Sequence, residues 1–295
     1  MTSQNDANHP GTSFSLGCQL YQSQFWLFRS MEEAMVGMRK PPEAGGLDAL
    51  ALKFRSLELD SEADLQTFLR LVKIREVVRP GENIVDARSP PRQLTVLLAG
   101  VACLHKRLED DSRQIYTFQY PGDFCDLHRY MLPELDQTTV VTALTNCSVG
   151  TIRHDDMDQM LSQHPKLGLA FWRASVLEAS ILRERLLNIS RRAALPRVAS
   201  IICEQLARLE AINIKSAVIP LTQVDLADAG GLSVVHVNRI VQDLRKLGAL
   251  SKKKRTIEVA SKERLAQLAN FDRRYLNMPD LLSGWNLDIE ELAGR

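Results

Sequence analysis

Leu221-Thr-Gln-Val-Asp-Leu-Ala-Asp-Ala-Gly-Gly-Leu-Ser-Val-Val-His-Val-Asn-Arg-Ile-Val-Gln-Asp-Leu-Arg-Lys-Leu-Gly-Ala-Leu250 reads as two helices joined by a glycine-bearing turn. Thr222 is placed to cap a short first helix carrying Val224, Leu226 and Ala227, and Gly230-Gly231 supplies backbone free to stop it and turn. A second helix starts at the Ser233 cap. Along it Val234, Val237, Ile240, Val241, Leu244 and Leu247 recur at steps of three and four, one apolar stripe that must face a core. The opposite face carries Val235, His236, Asn238, Arg239, Gln242 and Arg245, hydrogen-bonding and basic as a helix lying in a DNA major groove requires. Gly248 ends the helix, and Leu250-Ser-Lys-Lys-Lys-Arg-Thr-Ile-Glu-Val259 reads as a strand, a basic turn and a second strand, which makes the unit a winged helix-turn-helix. An antiparallel helix pair with a solvated charged face has the same periodicity. The short first helix, the glycine turn and the run Lys252 to Arg255 at the wing favour DNA.

The chain around this stretch has 295 residues, enough for two domains each with a core of its own. With 45% hydrophobic and 25% charged residues its composition is that of a globular protein in water. Phe25-Trp-Leu-Phe28 is flanked at once by Arg29, Glu32 and Glu33, too short for a membrane span, and the first residues lack a secretory pattern. The expected location is therefore the cytoplasm, with no membrane partner. A net charge of +1 excludes a uniformly basic coat and asks for positive charge confined to one face. Five cysteines, at 18, 103, 125, 147 and 203, are scattered without a Cys-x-x-Cys pair, which argues against a disulfide scaffold or a zinc finger.

Residues 1–46 form an N-terminal extension expected to be partly disordered, with an amphipathic helix over Phe25, Phe28, Met31, Glu32, Met35 and Val36 before the Pro41-Pro and Gly45-Gly linker. Helical segments follow at Leu47 to Phe54 and after the Ser61 cap. From Val72 to Arg153, β-branched runs alternate with turn signals every 8 to 12 residues, the pattern of an antiparallel sandwich or barrel. A short helix precedes Pro165. An unbroken helical pattern then runs from Lys166 to about Arg191, about 39 Å long. Its positions Leu169, Trp172, Val176, Ala179, Arg183 and Leu186 follow the seam of a two-helix coiled coil, charged at Arg183, and predict a homodimer. Ser190 to Ala194 reads as a hinge, and Pro196 suits the first turn of the next helix. The fold class is thus α+β: a β-rich sensor domain over 47–165, a dimerisation helix and hinge over 166–192, a winged helix-turn-helix over 193–270 and a tail over 271–295.

Pro80-Gly-Glu-Asn, Pro121-Gly-Asp-Phe124, the long helix, the hinge and Leu232-Ser-Val-Val-His-Val-Asn-Arg239 together resemble the Crp/Fnr family of bacterial transcription regulators, over residues 47 to 270. The resemblance implies a cyclic-nucleotide-binding-like antiparallel β-roll and a homodimer on a partly palindromic promoter site, recruiting or blocking RNA polymerase. Cyclic-AMP-binding members carry a Glu for the ribose and an Arg-Ser pair for the phosphate. Those positions fall near Leu127 and on Gln137 and Thr138, where a buried phosphate would lack its charged partner, so cyclic AMP is not the expected ligand. Cys125, Asp126, Leu127, His128, Gln137 and Thr138 are the candidate effector-pocket residues. Cys147 and Cys18 are too few for the iron–sulfur cluster of the oxygen-sensing branch. No cofactor is expected. Haem on His105 and His128, as in gas-sensing relatives, and redox chemistry at Cys125 or Cys18 stand as alternatives to structural roles.

At the recognition helix, family members often carry Glu where Val235 stands and Arg where Arg239 stands. Arg239 is thereby the candidate for a bidentate contact to guanine, and Val235 for a thymine methyl. His236, Asn238 and Gln242 follow for base or backbone contacts, and Ser233 and Thr222 for phosphates at helix N-termini. Lys252, Lys253, Lys254 and Arg255 would add sequence-independent, salt-sensitive affinity. The rival reading is a regulatory module acting on a protein partner without DNA. An enzyme is not expected, because no nucleophile with base and orienter, metal-ligand spacing or phosphate loop is present.

Overall fold

The computed structural model describes residues 45–74, 77–87, 92–133, 138–253 and 256–277. The helix expected over Phe25 to Val36, Gln137, Lys254, Arg255 and the tail beyond Asn277 lie outside the described residues. Two helices, α1 (Gly45–Ser56) and α2 (Glu62–Leu71), lead into the strands; Ser61 caps α2 by accepting from the Asp64 amide. One sheet is three-stranded, in the order β1 (Lys73–Ile74), β7 (Ser148–Arg153), β3 (Gln93–Ala99). The other is four-stranded, in the order β2 (Asn83–Val85), β6 (Val140–Ala143), β4 (Ala102–Arg107), β5 (Arg113–Gln119), and every pairing in both is antiparallel. Between the sheets lies a small core of Val85, Leu97, Ala102, Leu104, Cys125, Val141, Ala143, Cys147 and Val149.

Because successive strand residues point to opposite faces, each sheet has a second apolar side to cover. Leu94, Val96 and Leu98 of β3 face α1, α2 and the long helix α5 (Pro165–Arg191). There Phe54, Phe68, Phe124 and Phe171 pack edge to face and tilted, with centroids 4.8 to 5.6 Å apart for the pairs Phe54–Phe68, Phe54–Phe171, Phe124–Phe171 and Phe68–Phe171. Gly122, at φ +94, makes the Pro121-Gly-Asp-Phe turn, and a Cβ there would lie 2.7 Å from the Ala49 carbonyl oxygen of α1. The short helix α3 (Leu127–Met131) follows that turn, and α4 (His154–Gln163) precedes Pro165, which occupies the first turn of α5.

The outer face of the four-stranded sheet meets the C-terminal half of the chain. Val101, Cys103, Ile115, Phe118 and Tyr120 share one continuous core with α6 (Ala194–Ala211), α7 (Gln223–Gly230), α8 (Val234–Lys246) and α9 (Lys262–Ala269). This corrects the expectation of a separate core for each domain. Nor is the hinge loose. α5 runs to Arg191 and the chain turns at Arg192 and Ala193. The Arg192 side chain bonds Glu184, Asn188 and Ser200, while Arg197 donates to the carbonyls of Arg192 and Gly230. The first residues of the expected tail pack back as well: Phe271 and Leu276 are buried, and Tyr275 donates to Glu204 Oε2 at 3.0 Å.

Charges are buried where β5, α1, α5 and α6 converge. Asp123 accepts from the Tyr120 amide, from Lys53 at 2.9 Å and from Arg208, and Arg208 also donates to the Phe118 carbonyl at 2.7 Å. Burial would raise the Asp123 carboxyl, but Lys53 and Arg208 outweigh it and hold it below the usual range. Glu178 lines the small cavity beside this cluster, and burial, with Asp123 adding to it, pushes its carboxyl up to about 7.

Phe171→Ala empties the middle of the aromatic cluster and is expected to cost about 3–5 kcal/mol in chemical denaturation; a cost below about 1 kcal/mol would contradict this packing. The raised Glu178 carboxyl opposes folding once the unfolded chain has ionised and does so fully above pH 7. Glu178→Gln should therefore gain stability over the parent as pH rises from 5 to 8, read as a widening gap in Tm; a gap independent of pH would refute the assignment.

Candidate nucleic-acid interface

Thr222 and Asp225 form a reciprocal capping box at the start of α7, and Gly231 stops it in the left-handed conformation at φ +60. Ser233 caps α8 by accepting from the His236 amide. Val237, Ile240, Val241 and Leu244 are buried against Leu226 and Ala229 of α7, so the inner stripe of α8 is fixed. Its outer face is open: Val235 is 65% exposed, and His236, Asn238, Arg239 and Gln242 are exposed beside it. Asn238 bonds across the exposed end of the turn to Gln223 Oε1 at 2.9 Å.

Several expectations about this motif change. Val234 and Leu247, the two ends of the apolar stripe, are 43% and 40% exposed, the first opening α8 and the second capping its end. Arg245 leaves the outer face. It is buried, and its guanidinium donates to the carbonyls of Ser251 at 3.1 Å, Lys253 at 2.7 Å and Thr256 at 3.3 Å, holding the wing to the helix. The wing itself pairs β9 (Ile257–Glu258) with β8 (Val218–Ile219), and Leu250 contributes a single bridge to Val259 rather than a strand. Thr222 donates its hydroxyl to Asp225 at 2.7 Å, so it meets a phosphate only if the capping box opens. Lys253 lies 2.9 Å from Glu258, whereas Lys252 projects from the turn.

The α5 seam is brought together as the spacing predicts. Leu169, Trp172, Val176 and Leu186 are 42%, 64%, 51% and 68% exposed, with Ala179 and Arg183 on the same side and Leu182 and Leu187 flanking it. The helix's other face is buried through Leu167, Phe171, Ala174 and Ile181, so α5 both packs on its own domain and presents a second apolar surface.

Those effector-pocket candidates that lie among the described residues have different surroundings. Cys125 is in the core between the sheets, Leu127 packs into the aromatic core, and Thr138 is exposed. Asp126 accepts from the Thr95 amide at 2.7 Å and from its hydroxyl at 3.2 Å, and burial raises its carboxyl to about 7. His128 stands on α3, beside the buried Arg129, which donates to the Asp86 carbonyl at 2.9 Å. His105 lies on the same side of β4 as Cys103, 2.8 Å from Thr142 Oγ1, and burial followed by Arg113 and Arg107 pushes it down to about 4. Burial drives the Cys147 thiol up to about 11 and the Cys125 thiol well above its ordinary value. Among the described residues no group of three His, Cys, Asp or Glu side chains is set to hold a metal, and no helix is long and apolar enough to cross a membrane.

Residues 75–164 match the cyclic nucleotide-binding domain and residues 196–268 the Crp-like helix-turn-helix domain. The chain belongs to the Crp/Fnr family. Similar relatives include the transcriptional activator protein FnrL of Cereibacter sphaeroides, 26% identical over 220 residues that cover 72% of this chain and 86% of that one. The nitrogen fixation regulation protein FixK of Bradyrhizobium diazoefficiens is 27% identical over 191 residues, 64% of this chain and 78% of that one. The solved structure of FixK2 from Bradyrhizobium japonicum has the same fold, with a TM-score of 0.58 and 22% identity across 67% of this chain and 96% of that one. This Crp/Fnr regulator accordingly carries a DNA-binding helix-turn-helix, with α8 in the place of the recognition helix.

Residues that only the structure singles out are the arginines Arg113, Arg185 and Arg208, whose side chains are 16%, 4% and 8% exposed. For Arg245 the expected consequence is specific. Arg245→Met should strip the donors from three wing carbonyls and speed amide hydrogen exchange in residues 251–256 while leaving α8 protected. Unchanged wing exchange would show that the guanidinium is not what holds it.

Proposed function

We propose that this Crp/Fnr regulator binds a partly palindromic promoter site as a homodimer, each protomer placing α8 in the major groove. The reading rests most on one observation: α8 buries its apolar stripe and leaves Val235, His236, Asn238, Arg239 and Gln242 facing outward together. Arg239 reads guanine through its paired donors, Val235 contacts a thymine methyl, and Asn238 and Gln242 bond bases or backbone nearby. Ser233 at the helix start and Lys252 on the wing meet phosphates. The unpartnered seam from Leu169 to Leu186 supports the dimer, since a helix carrying an exposed Trp172 beside Val176 and Leu186 gains by burying them in a second copy.

A two-fold dimer places its two recognition helices about 34–36 Å apart, one turn of duplex, and explains a palindromic site. Membership of the family supports contact with RNA polymerase, and a chromosomal target fits a cytoplasmic location. Cyclic AMP is not its effector: Leu127, where the ribose-binding Glu would stand, is turned into the aromatic core. Calorimetry should record no micromolar binding of cyclic AMP, and a micromolar affinity would overturn that part.

Gel-shift or fluorescence titration on a selected promoter site tests the reading itself. Arg239→Ala is expected to cost about 1–3 kcal/mol on that site and to relax selection of one base pair, whereas Lys252→Ala weakens specific and random duplexes alike. Equal losses on both DNAs for both variants would refute the assigned roles. Trp172→Glu should shift the protein from dimer to monomer in sedimentation, and a parent protein that is already monomeric would refute the seam.

A further inference from the structure

The first helix of the helix-turn-helix is bolted to the sensor sheet by one arginine. Arg113, the first residue of β5, sends Nη2 to Asp225 at 3.0 Å and Nε to Asp228 at 2.8 Å, two carboxylates one turn apart on α7. The three side chains are 16%, 9% and 22% exposed, so the fork is largely withdrawn from water. Its remaining arm lies 3.8 Å from Cys103 Sγ on the neighbouring strand. Asp225 is shared: its other oxygen accepts from the Thr222 amide and hydroxyl at the start of α7. A few residues on, a Cβ on Gly231 would come within 4.0 Å of Gln114, so the turn between the two helices also abuts β5.

We infer that Arg113, a residue of the sensor domain, is a positioning residue for DNA reading: it fixes the angle at which α8 is presented relative to the dimer helix. The inference rests on the DNA-reading dimer proposed above. The mechanical path is short. β5 lies against α5 through Phe118 and Ile181, α5 carries the seam that would meet the second copy, and α7 shares one core with α8. Arg113 closes this path at its outer end, clamping α7 from the side opposite to its contact with α6. Without the guanidinium, Asp225 and Asp228 lose both ion pairs to β5 and stand one turn apart as like charges with only the more exposed Arg107 of β4 nearby, a state relieved by swinging α7 away into water. α8 would move with it. The face of α8 that meets bases would be unaltered, while the separation of the two copies of that face would no longer be set.

Positioning predicts a different defect from loss of a base contact. Selection from a duplex library with randomised half-sites and randomised spacers should give the parent one preferred spacer length. Arg113→Ala should keep the half-site sequence, broaden the spacer by at least one base pair, and lose tenfold or more on the parent's best site with random DNA unchanged. Asp228→Ala should broaden the spacer in the same way, and combining the two should add little. Arg113→Lys, which spans to one carboxylate at a time, should recover part of the affinity and of the spacer preference. If Arg113→Ala fails to fold, Asp228→Ala carries the test alone. A parental spacer preference in the folded variants, tighter binding by either, or an equal loss on random DNA would overturn the role. A parent that selects no site would overturn the DNA reading and this inference with it.

Discussion

The outer face of the four-stranded sheet is too apolar to leave in water, and the C-terminal half of the chain is what covers it. Val101, Cys103, Ile115, Phe118 and Tyr120 project from one side of β4, β5 and their connections, and α6 and α7 lie over them with Ile201, Ile202, Leu206, Leu226 and Ala227 in the same core. Burial of this kind is non-directional, so by itself it would let the two layers slide. The buried ion pairs supply direction. Arg208 to Asp123, Arg185 to Glu204 at 3.0 Å and Arg113 to Asp225 and Asp228 each have one satisfactory geometry, and a slip of one residue would strand a charge.

A sensor and a reader that share a core form a different machine from two domains on a flexible tether. The turn at Arg192 and Ala193 is crossed by side-chain bonds on both flanks, so relative motion of the halves requires ion pairs to break and apolar surface to open. β4, β5, α5 and the turn at Asp123 all touch the C-terminal half, so a change in any of them bears on the layer that carries α8. The Pro121-Gly-Asp-Phe turn thereby acquires a physical role. Its glycine lets α1 approach, and its aspartate anchors α6 through Arg208.

Periodicity made the elements legible in the sequence: the strands, the unbroken helix to Arg191, the two caps at Thr222 and Ser233 and the outward face around Arg239 all have local signatures in residue spacing. The seam of α5 was legible for the same reason. What spacing does not encode is which of two polar-looking side chains turns inward. Arg245 sits on the helical side that periodicity calls exposed, yet three carbonyls of the wing draw it in, and the wing's path lies outside any helical repeat. Arg113 and Arg208 were illegible because their partners stand 112 and 85 residues away, and a lone arginine at a strand or helix end carries no local mark of its counter-charge. Cys125 and Leu127 lie in different cores because the chain leaves the turn at Asp123 and enters α3 between them, a change of direction set by the two sheets rather than by spacing in the sequence.

Native-state hydrogen exchange of the full-length protein across a denaturant series addresses the shared core most directly. If the two halves stand or fall together, amides of β5 and α6, such as those of Phe118 and Leu206, merge into one opening reaction with a single free energy and a single denaturant dependence. If α6 and its neighbours open at lower free energy while β5 stays protected, the halves are independent bodies in contact, and a single core uniting sensor and reader is contradicted.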